Sequence, residues 1–174
     1  MKPTTIFITY NPNAQVEQTL AIRLHTIGAV NGFKMHLPDR YNSSSTLDVE
    51  TKRRIDESDW LVIFSTHALS KIVKQEIEYA FQRLHDKSKI IVIYNSASGK
   101  NLTGDITANF TEIYFDPFKK TTDEVTREVL QTIFMGEQTK QIVILEKQNQ
   151  SKNELIALLG IGLGLFALSA LTQD

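Results

Sequence analysis

Three short apolar runs constrain the fold of this chain most strongly. They are Thr5 to Tyr10 (TIFITY), Trp60 to Phe64 (WLVIF) and Lys89 to Tyr94 (KIIVIY). Each is rich in β-branched and aromatic residues and short enough to be a buried parallel strand. Weaker runs at Phe33 to His36 and Glu112 to Phe115 predict two more strands. Because helical patterns separate the runs, we expect an α/β fold, a doubly wound parallel sheet of about five strands with helices on both faces.

The first helix is predicted to follow the first strand directly. Asn11 is placed to cap it, Pro12 to occupy its first position and Gly28 to end it. The inner face is then predicted to be Val16, Leu20, Leu24 and Ile27.

Two further helices are predicted at either side of the central strands. Leu47 to Ile55 reads as a short polar helix. Thr121 or Thr122 is placed to cap a last helix. The inner face of that helix is predicted to consist of Val125, Val129 and Ile133.

One carboxylate interrupts the apolar face of the helix that follows the Trp60 strand. At 100° per residue, Glu76 falls among the apolar residues Ile72, Val73, Ile77, Ala80, Phe81 and Leu84. Glu78 falls on the opposite, polar face. Glu76 either reaches water, Lys71, Arg83 or a backbone amide from the edge of this face, or it lies in a cleft at the carboxyl edge of the sheet, where open α/β folds bind ligands. The helical wheel leaves both interpretations open.

Two polar segments are predicted to be loops. LPDRYNSSST, from Leu37 to Thr46, has no periodicity, and its length favours a functional role over a plain connection. The segment from Asn95 to Gly104 contains Ser96, Ser98, Gly99 and Gly104.

Composition excludes several kinds of site. The net charge of −1 favours neither nucleic acid nor an anionic membrane as a partner, and the absence of cysteine excludes disulfides and thiolate sites. No G-x-G-x-x-G follows the first strand, and Gly99-Lys100-Asn101 lacks the other residues of a P-loop. The four histidines show no metal-ligand spacing, so no metal site is predicted. The amino-terminal sequence shows no secretory signal, which makes the cytosol the expected compartment.

The sequence changes character from Gly136. We expect a main domain over residues 1–135, a connector over 136–154 and an apolar carboxyl-terminal helix over 155–172. The uncharged run from Leu155 to Leu171 would be about 26 Å long as a helix, slightly short for a membrane span. Gly160 and Gly164 have the spacing that lets apolar helices approach closely. The segment is interpreted either as a membrane anchor or as a helix that packs on another subunit or partner.

Several motifs together resemble a known family. IFITY at Ile6 to Tyr10, LPDR at Leu37 to Arg40, and the stretch from Ile55 to Phe81 with Ser70 and, six positions on, Glu76 are similar to the Toll/interleukin-1 receptor (TIR) domains. The resemblance is in particular to the short bacterial TIR proteins of the Thoeris-like antiphage-defence type. The resemblance covers roughly residues 4–135. Ile72 stands where the family often has tryptophan, and FDPF at Phe115 to Phe118 lies where a Phe-Trp box is usual.

The resemblance implies a flavodoxin-like TIR fold and cleavage of NAD at the nicotinamide-ribose bond, with NAD as substrate and no separate cofactor. It makes Glu76 the catalytic residue. The substrate-binding residues would be Thr9, Tyr10 and Asn11 at the end of the first strand, Pro38, Asp39 and Arg40 in the loop over the ligand, and Ser70, which either contacts ribose or caps the helix. One carboxylate suffices because nicotinamide leaves readily and the enzyme mainly stabilises an oxocarbenium-like ribose.

The resemblance also implies partners and alternatives. Enzymatic relatives assemble through the same loop, which predicts self-association, and their product, ADP-ribose, a cyclic isomer or a conjugate, is sensed by a downstream effector. The first alternative is a non-enzymatic TIR adaptor that only assembles with other TIR domains. The second is a nucleoside transferase-like enzyme of similar architecture.

Overall fold

A five-stranded, all-parallel sheet forms the centre of the protein. The computed structural model describes residues 2–40, 46–96 and 110–148. The strands are β1 (Thr5–Thr9), β2 (Lys34–His36), β3 (Trp60–Ser65), β4 (Ile90–Asn95) and β5 (Thr111–Phe115). Their order is β2-β1-β3-β4-β5, which is the flavodoxin-like order. The predicted fold class and all five predicted strands are confirmed.

In the described parts of the chain, three helices connect the first four strands in turn and a fourth follows β5. They are α1 (Gln15–Val30), α2 (Val49–Asp56), α3 (Lys71–Arg83) and α4 (Thr122–Gln148), with a 3₁₀ turn at Lys87–Lys89. Two caps follow directly from residue type. The carboxylate of Asp48 accepts hydrogen bonds from the amides of Glu50 and Thr51, and the hydroxyl of Ser70 accepts one from the amide of Val73.

Helices cover both faces of the sheet. On one face, Ile6, Ile8, Val62 and Phe64 pack with residues of α1 and α4 in one apolar core. On the other face, Phe7, Leu61 and Ile63 pack with residues of α2 and α3 in a second core. The alternation arises because successive side chains of a strand point to opposite faces. This arrangement leaves the carboxyl edge of the strands to the loops.

Helix α1 differs from its prediction at both ends. It begins at Gln15 with Ala14 as its cap, because residues 11–14 form a turn in which the Ala14 amide donates to the Asn11 carbonyl. It ends at Val30, and the left-handed turn falls on Gly32 at φ 85°. Gly28 therefore lies inside the helix, where a Cβ would come within 2.6 Å of the Met35 sulfur.

The inner face of α1 differs from the prediction at its first position. Val16 is 44% exposed, whereas the adjacent Glu17 is fully buried. Leu20 and Leu24 are buried as expected, and Ile27 packs at the edge of the core. The prediction failed at Val16 because it placed only apolar residues on the inner face. The Glu17 carboxylate can be buried instead, because it accepts hydrogen bonds from two loops.

Helix α4 does not end where the sequence changes character. It continues through Gly136 as far as Gln148, so most of the predicted connector is helical. Chain contacts define one compact unit over Met1–Ile133 and a second from Phe134. The apolar segment over 155–172 lies outside the described residues, as do residues 41–45 of the first predicted loop and residues 97–104 of the second. Within the parts of the chain that are described, no helix is both long and apolar enough to cross a membrane.

Candidate active site

The carboxyl ends of β1 and β3 meet the first two turns of α3. Thr9 is the last residue of β1 and pairs in register with Ile63 of β3. The loop after β3 ends at Ser70, which caps α3, and Glu76 lies on the side of α3 that faces the sheet. The end of β1 therefore lies against the Glu76 carboxylate of α3, although the two elements are far apart in sequence.

Glu76 is in the interior and not at the edge of the helix. Its exposed fraction is 1%, which rules out the interpretation that it reaches water. The Thr9 hydroxyl donates to Oε2 at 2.5 Å. Arg40 Nη2 donates to the same oxygen at 3.1 Å, while Nη1 lies 3.0 Å from Oε1. Its partners are thus the residues expected from the first strand and the loop, and not Lys71 or Arg83.

Burial has the largest effect on the pKa of the Glu76 carboxyl. Desolvation raises the pKa of Glu76 to about 7, although the Arg40 charge and the hydrogen bonds from Thr9 and Arg40 favour the ionised form. Both protonation states are consequently accessible near neutral pH. A carboxyl group of this kind can act electrostatically or as a nucleophile when ionised, and as an acid when protonated.

The Arg40 side chain packs against the end of β1. Besides its contacts with Glu76, Nη2 donates to the Tyr10 carbonyl at 2.9 Å, and the guanidinium lies 5.5 Å from the centre of the Tyr10 ring. Its position depends on two backbone anchors to α2. The Asp39 amide donates to the Thr51 hydroxyl at 3.0 Å, and Arg54 donates to the Leu37 carbonyl at 2.7 Å. Helix α2 therefore fixes the segment that carries Arg40.

The predicted substrate-binding residues divide into two groups. Thr9, Tyr10 and Arg40 surround Glu76, and we call these four residues the Glu76 site. The others stabilise its surroundings. The Asn11 side chain donates to the Ala68 carbonyl at 2.9 Å, Ser70 caps α3, and Pro38 is buried beside the Asp39 anchor.

A second buried carboxylate, Glu17, was not predicted. Oε1 accepts from the Thr66 amide and hydroxyl, each at 2.8 Å, and from the His67 amide at 3.0 Å. Oε2 accepts from the Asn11 amide at 2.7 Å. Glu17 thereby joins the loop after β1 to the loop after β3, on either side of the Glu76 site. Its position three residues before Leu20, on the buried face of the helix, is the one sequence feature that could have predicted its burial.

A cavity of about 610 Å³ lies beside β2, and we call it the β2 cavity. Tyr10 and Pro38 line it, as does Arg40, which also contacts Glu76. Its remaining polar walls come from His25, His36, Glu50, Arg53 and Arg54. Burial lowers the pKa of His36, with a smaller effect in the same direction from Lys34. Across the described parts of the chain, no three His, Asp or Glu side chains are grouped so as to hold a metal ion.

Comparisons with known proteins show no family for this chain. A scan against models of protein families gives no match, and a search of curated proteins gives none. Among solved structures, the CMP N-glycosidase BcmB of Clostridium botulinum is similar at 17% identity and a TM-score of 0.48. The match covers 72% of this chain and 98% of that one.

Proposed function

We propose that this protein cleaves the N-glycosidic bond of a nucleotide, with NAD as substrate and Glu76 as the catalytic residue. The observation that carries the proposal is a carboxylate, 1% exposed, at the carboxyl edge of a parallel sheet. Burying a carboxylate is costly, and a pKa raised to about 7 is typical of a catalytic acid or base. The TIR-like motifs at Ile6 to Tyr10, Leu37 to Arg40 and Ile55 to Phe81 support NAD as the substrate.

The bond cleavage needs little beyond this carboxylate. The C1′–N bond breaks, and its electron pair leaves with nicotinamide and neutralises the pyridinium ring. The ribose is left as an oxocarbenium ion, which an ionised Glu76 stabilises as its counter-ion. Water then adds to C1′ and loses a proton, which gives ADP-ribose. A hydroxyl of the same molecule or of another acceptor in place of water would give a cyclic isomer or a conjugate.

The setting of this reaction follows from the resemblance to Thoeris-like TIR proteins. In that setting the protein would act in bacterial antiphage signalling, where it either depletes NAD or releases an ADP-ribose-derived signal to an effector. Self-association through the Leu37 to Arg40 loop would then complete the active site, and the segment over 155–171 would add a second means of assembly or membrane association.

The test is NAD consumption by purified protein at high concentration, with products identified by mass spectrometry. Glu76→Gln preserves shape and removes the charge, and we expect it to lower the rate by at least about 100-fold. Glu78→Gln is the matched control, because Glu78 is an exposed carboxylate on the same helix. Equal rates in the wild type and Glu76→Gln would refute the assignment of Glu76.

A second substrate class follows from the raised pKa of Glu76. A neutral leaving base, unlike nicotinamide, must be protonated before it departs, and a carboxyl with a pKa of about 7 can supply that proton. CMP and deoxynucleosides therefore belong in the same assay. Faster cleavage of these than of NAD would favour a nucleotide or nucleoside N-glycosidase. Assembly without turnover of any of them would favour the adaptor alternative.

A further inference from the structure

We propose that the β2 cavity binds the phosphate groups of the nucleotide substrate, and that Arg40 moves from the Glu76 carboxylate to that phosphate when the substrate binds. This inference rests on the proposed function and names the part of the substrate that the protein recognises. It also accounts for how a fully covered carboxylate becomes accessible.

The charge of the cavity suits an anion. Three arginines and one carboxylate line it, so arginines outnumber carboxylates on its walls, and two of these arginines are also paired with carboxylates outside the lining, Arg40 with Glu76 and Arg53 with Glu57. Glu50 is already neutralised, because its Oε1 accepts from Arg54 at 2.9 Å and from Arg53 at 2.7 Å. Guanidinium groups bind phosphate through paired hydrogen bonds, which favours a phosphorylated ligand over a simple carboxylate.

Two buried nitrogens of the cavity walls lack hydrogen-bond partners. Within the described residues, neither Arg40 Nε nor His36 Nε2 has one, although His36 Nε2 lies 3.6 Å from Glu57. Leaving such atoms unpaired is unfavourable, and native interiors seldom do it without a reason. Phosphate oxygens in the cavity would accept hydrogen bonds from both.

Arg40 is the residue that connects the cavity to the catalytic carboxylate. It lines the cavity and also contacts both oxygens of Glu76. In a nucleotide the ribose ring and one methylene separate the anomeric carbon from the 5′-phosphate. A phosphate on the cavity side of Arg40 would therefore bring the anomeric carbon towards Glu76.

The movement of Arg40 to the phosphate also leaves one positive charge beside Glu76. In the present structure Arg40 is the cation that neutralises this buried carboxylate. When Arg40 turns to the phosphate, the pyridinium or oxocarbenium charge of the substrate takes its place. A ligand without phosphate offers Arg40 no alternative partner, so it leaves Glu76 covered.

Nicotinamide mononucleotide and nicotinamide riboside test this proposal, because they share the scissile bond and differ only in the 5′-phosphate. We expect the wild type to prefer the mononucleotide in kcat/KM by at least about 100-fold. Arg40→Ala should reduce this preference to less than about tenfold, lowering kcat/KM for the mononucleotide and raising it for the riboside. Arg83→Ala is the charge-matched control on the surface of α3 and should keep the wild-type ratio.

Inorganic pyrophosphate gives a second readout that needs no catalysis. By calorimetry it should bind to the wild type and to Arg83→Ala, and bind at least about tenfold more weakly to Arg40→Ala and His36→Leu. His36→Leu removes the Nε2 donor and does not alter any contact of Glu76, so it keeps the test valid where Arg40→Ala fails to fold. Binding of pyrophosphate without cleavage of NAD would leave the cavity assignment standing and refute the proposed function. Cleavage of NAD, with the mononucleotide and the riboside cleaved at equal rates and no pyrophosphate binding, would overturn the cavity assignment and leave the proposed function standing.

Discussion

Glu17 and Thr66, which are 49 positions apart in sequence, share two hydrogen bonds of 2.8 Å through one carboxylate oxygen. Together with the Asn11 amide on the other oxygen, these bonds join the ends of β1 and β3. A buried charge without hydrogen-bond partners is costly, and here three backbone amides and one hydroxyl supply them. The two loops that flank Glu76 are thus joined by a residue that does not contact it in the structure.

Replacement of this second carboxylate should destabilise the fold. In Glu17→Gln the amide nitrogen faces either the Asn11 amide or the Thr66 and His67 amides, and both choices place donor against donor. We expect a loss of about 1–3 kcal/mol in the free energy of unfolding, measured by urea denaturation. Glu78→Gln, on the exposed face of α3, should change it by less than about 0.5 kcal/mol. An unchanged midpoint for Glu17→Gln would mean that its hydrogen bonds contribute little.

The Thr9 hydroxyl should set the pH dependence of activity. Its hydrogen bond lowers the pKa of Glu76, so Thr9→Val should raise that pKa above about 7. If the ionised form is catalytic, the rise of kcat/KM with pH should move to higher pH in Thr9→Val and stay in place in Thr9→Ser. Thr126→Val, which removes a buried hydroxyl from α4, is the control and should leave the pH profile unchanged. A profile that does not move in Thr9→Val would contradict this role.

Protein stability should fall as Glu76 ionises. Its pKa is raised from 4.5 to about 7 in the folded state, so the folded protein binds the proton more tightly than the unfolded chain. This contribution to stability is fully present below pH 4.5 and is lost as the pH rises to about 7. Across that range the free energy of unfolding of Glu76→Gln should rise relative to wild type by about 3 kcal/mol. A constant difference between the two proteins from pH 4 to 8 would show that Glu76 titrates normally.

The Thr51 hydroxyl should hold the Arg40 segment in place. Thr51→Val keeps the shape of this buried side chain and removes the acceptor of the Asp39 amide. We expect a loss of about 1 kcal/mol in stability and faster hydrogen–deuterium exchange in residues 37–40. Under the proposed function the KM for NAD should also rise, because Arg40 is less well positioned. Unaltered exchange in this segment would show that the Arg54 contact with Leu37 is a sufficient anchor.

The apolar runs were sufficient to predict the sheet. Strands such as Ile90–Asn95 are fixed by local composition, since only a sheet covered on both faces buries so many β-branched residues. The face of α3 was also predictable, with Val73, Ile77 and Ala80 buried and Ile72 packed at the core edge. Helix α1 was predicted less well, because the usual cap at Asn11 gave way to a turn and a buried charge replaced Val16.

The sequence by itself determined that Glu76 lies on an apolar helix face at the end of a parallel strand, because helical periodicity and strand composition are local properties. It did not determine what that carboxylate contacts. Thr9 lies 67 positions away and Arg40 lies 36 positions away, and only the packing of β1 and the loop after β2 against α3 brings them to it. The same holds for Glu17, whose burial is tolerated only because the loops after β1 and β3 direct their amides to it. Partners of a buried charge come from distant segments, so tertiary structure alone decided the chemistry of this site.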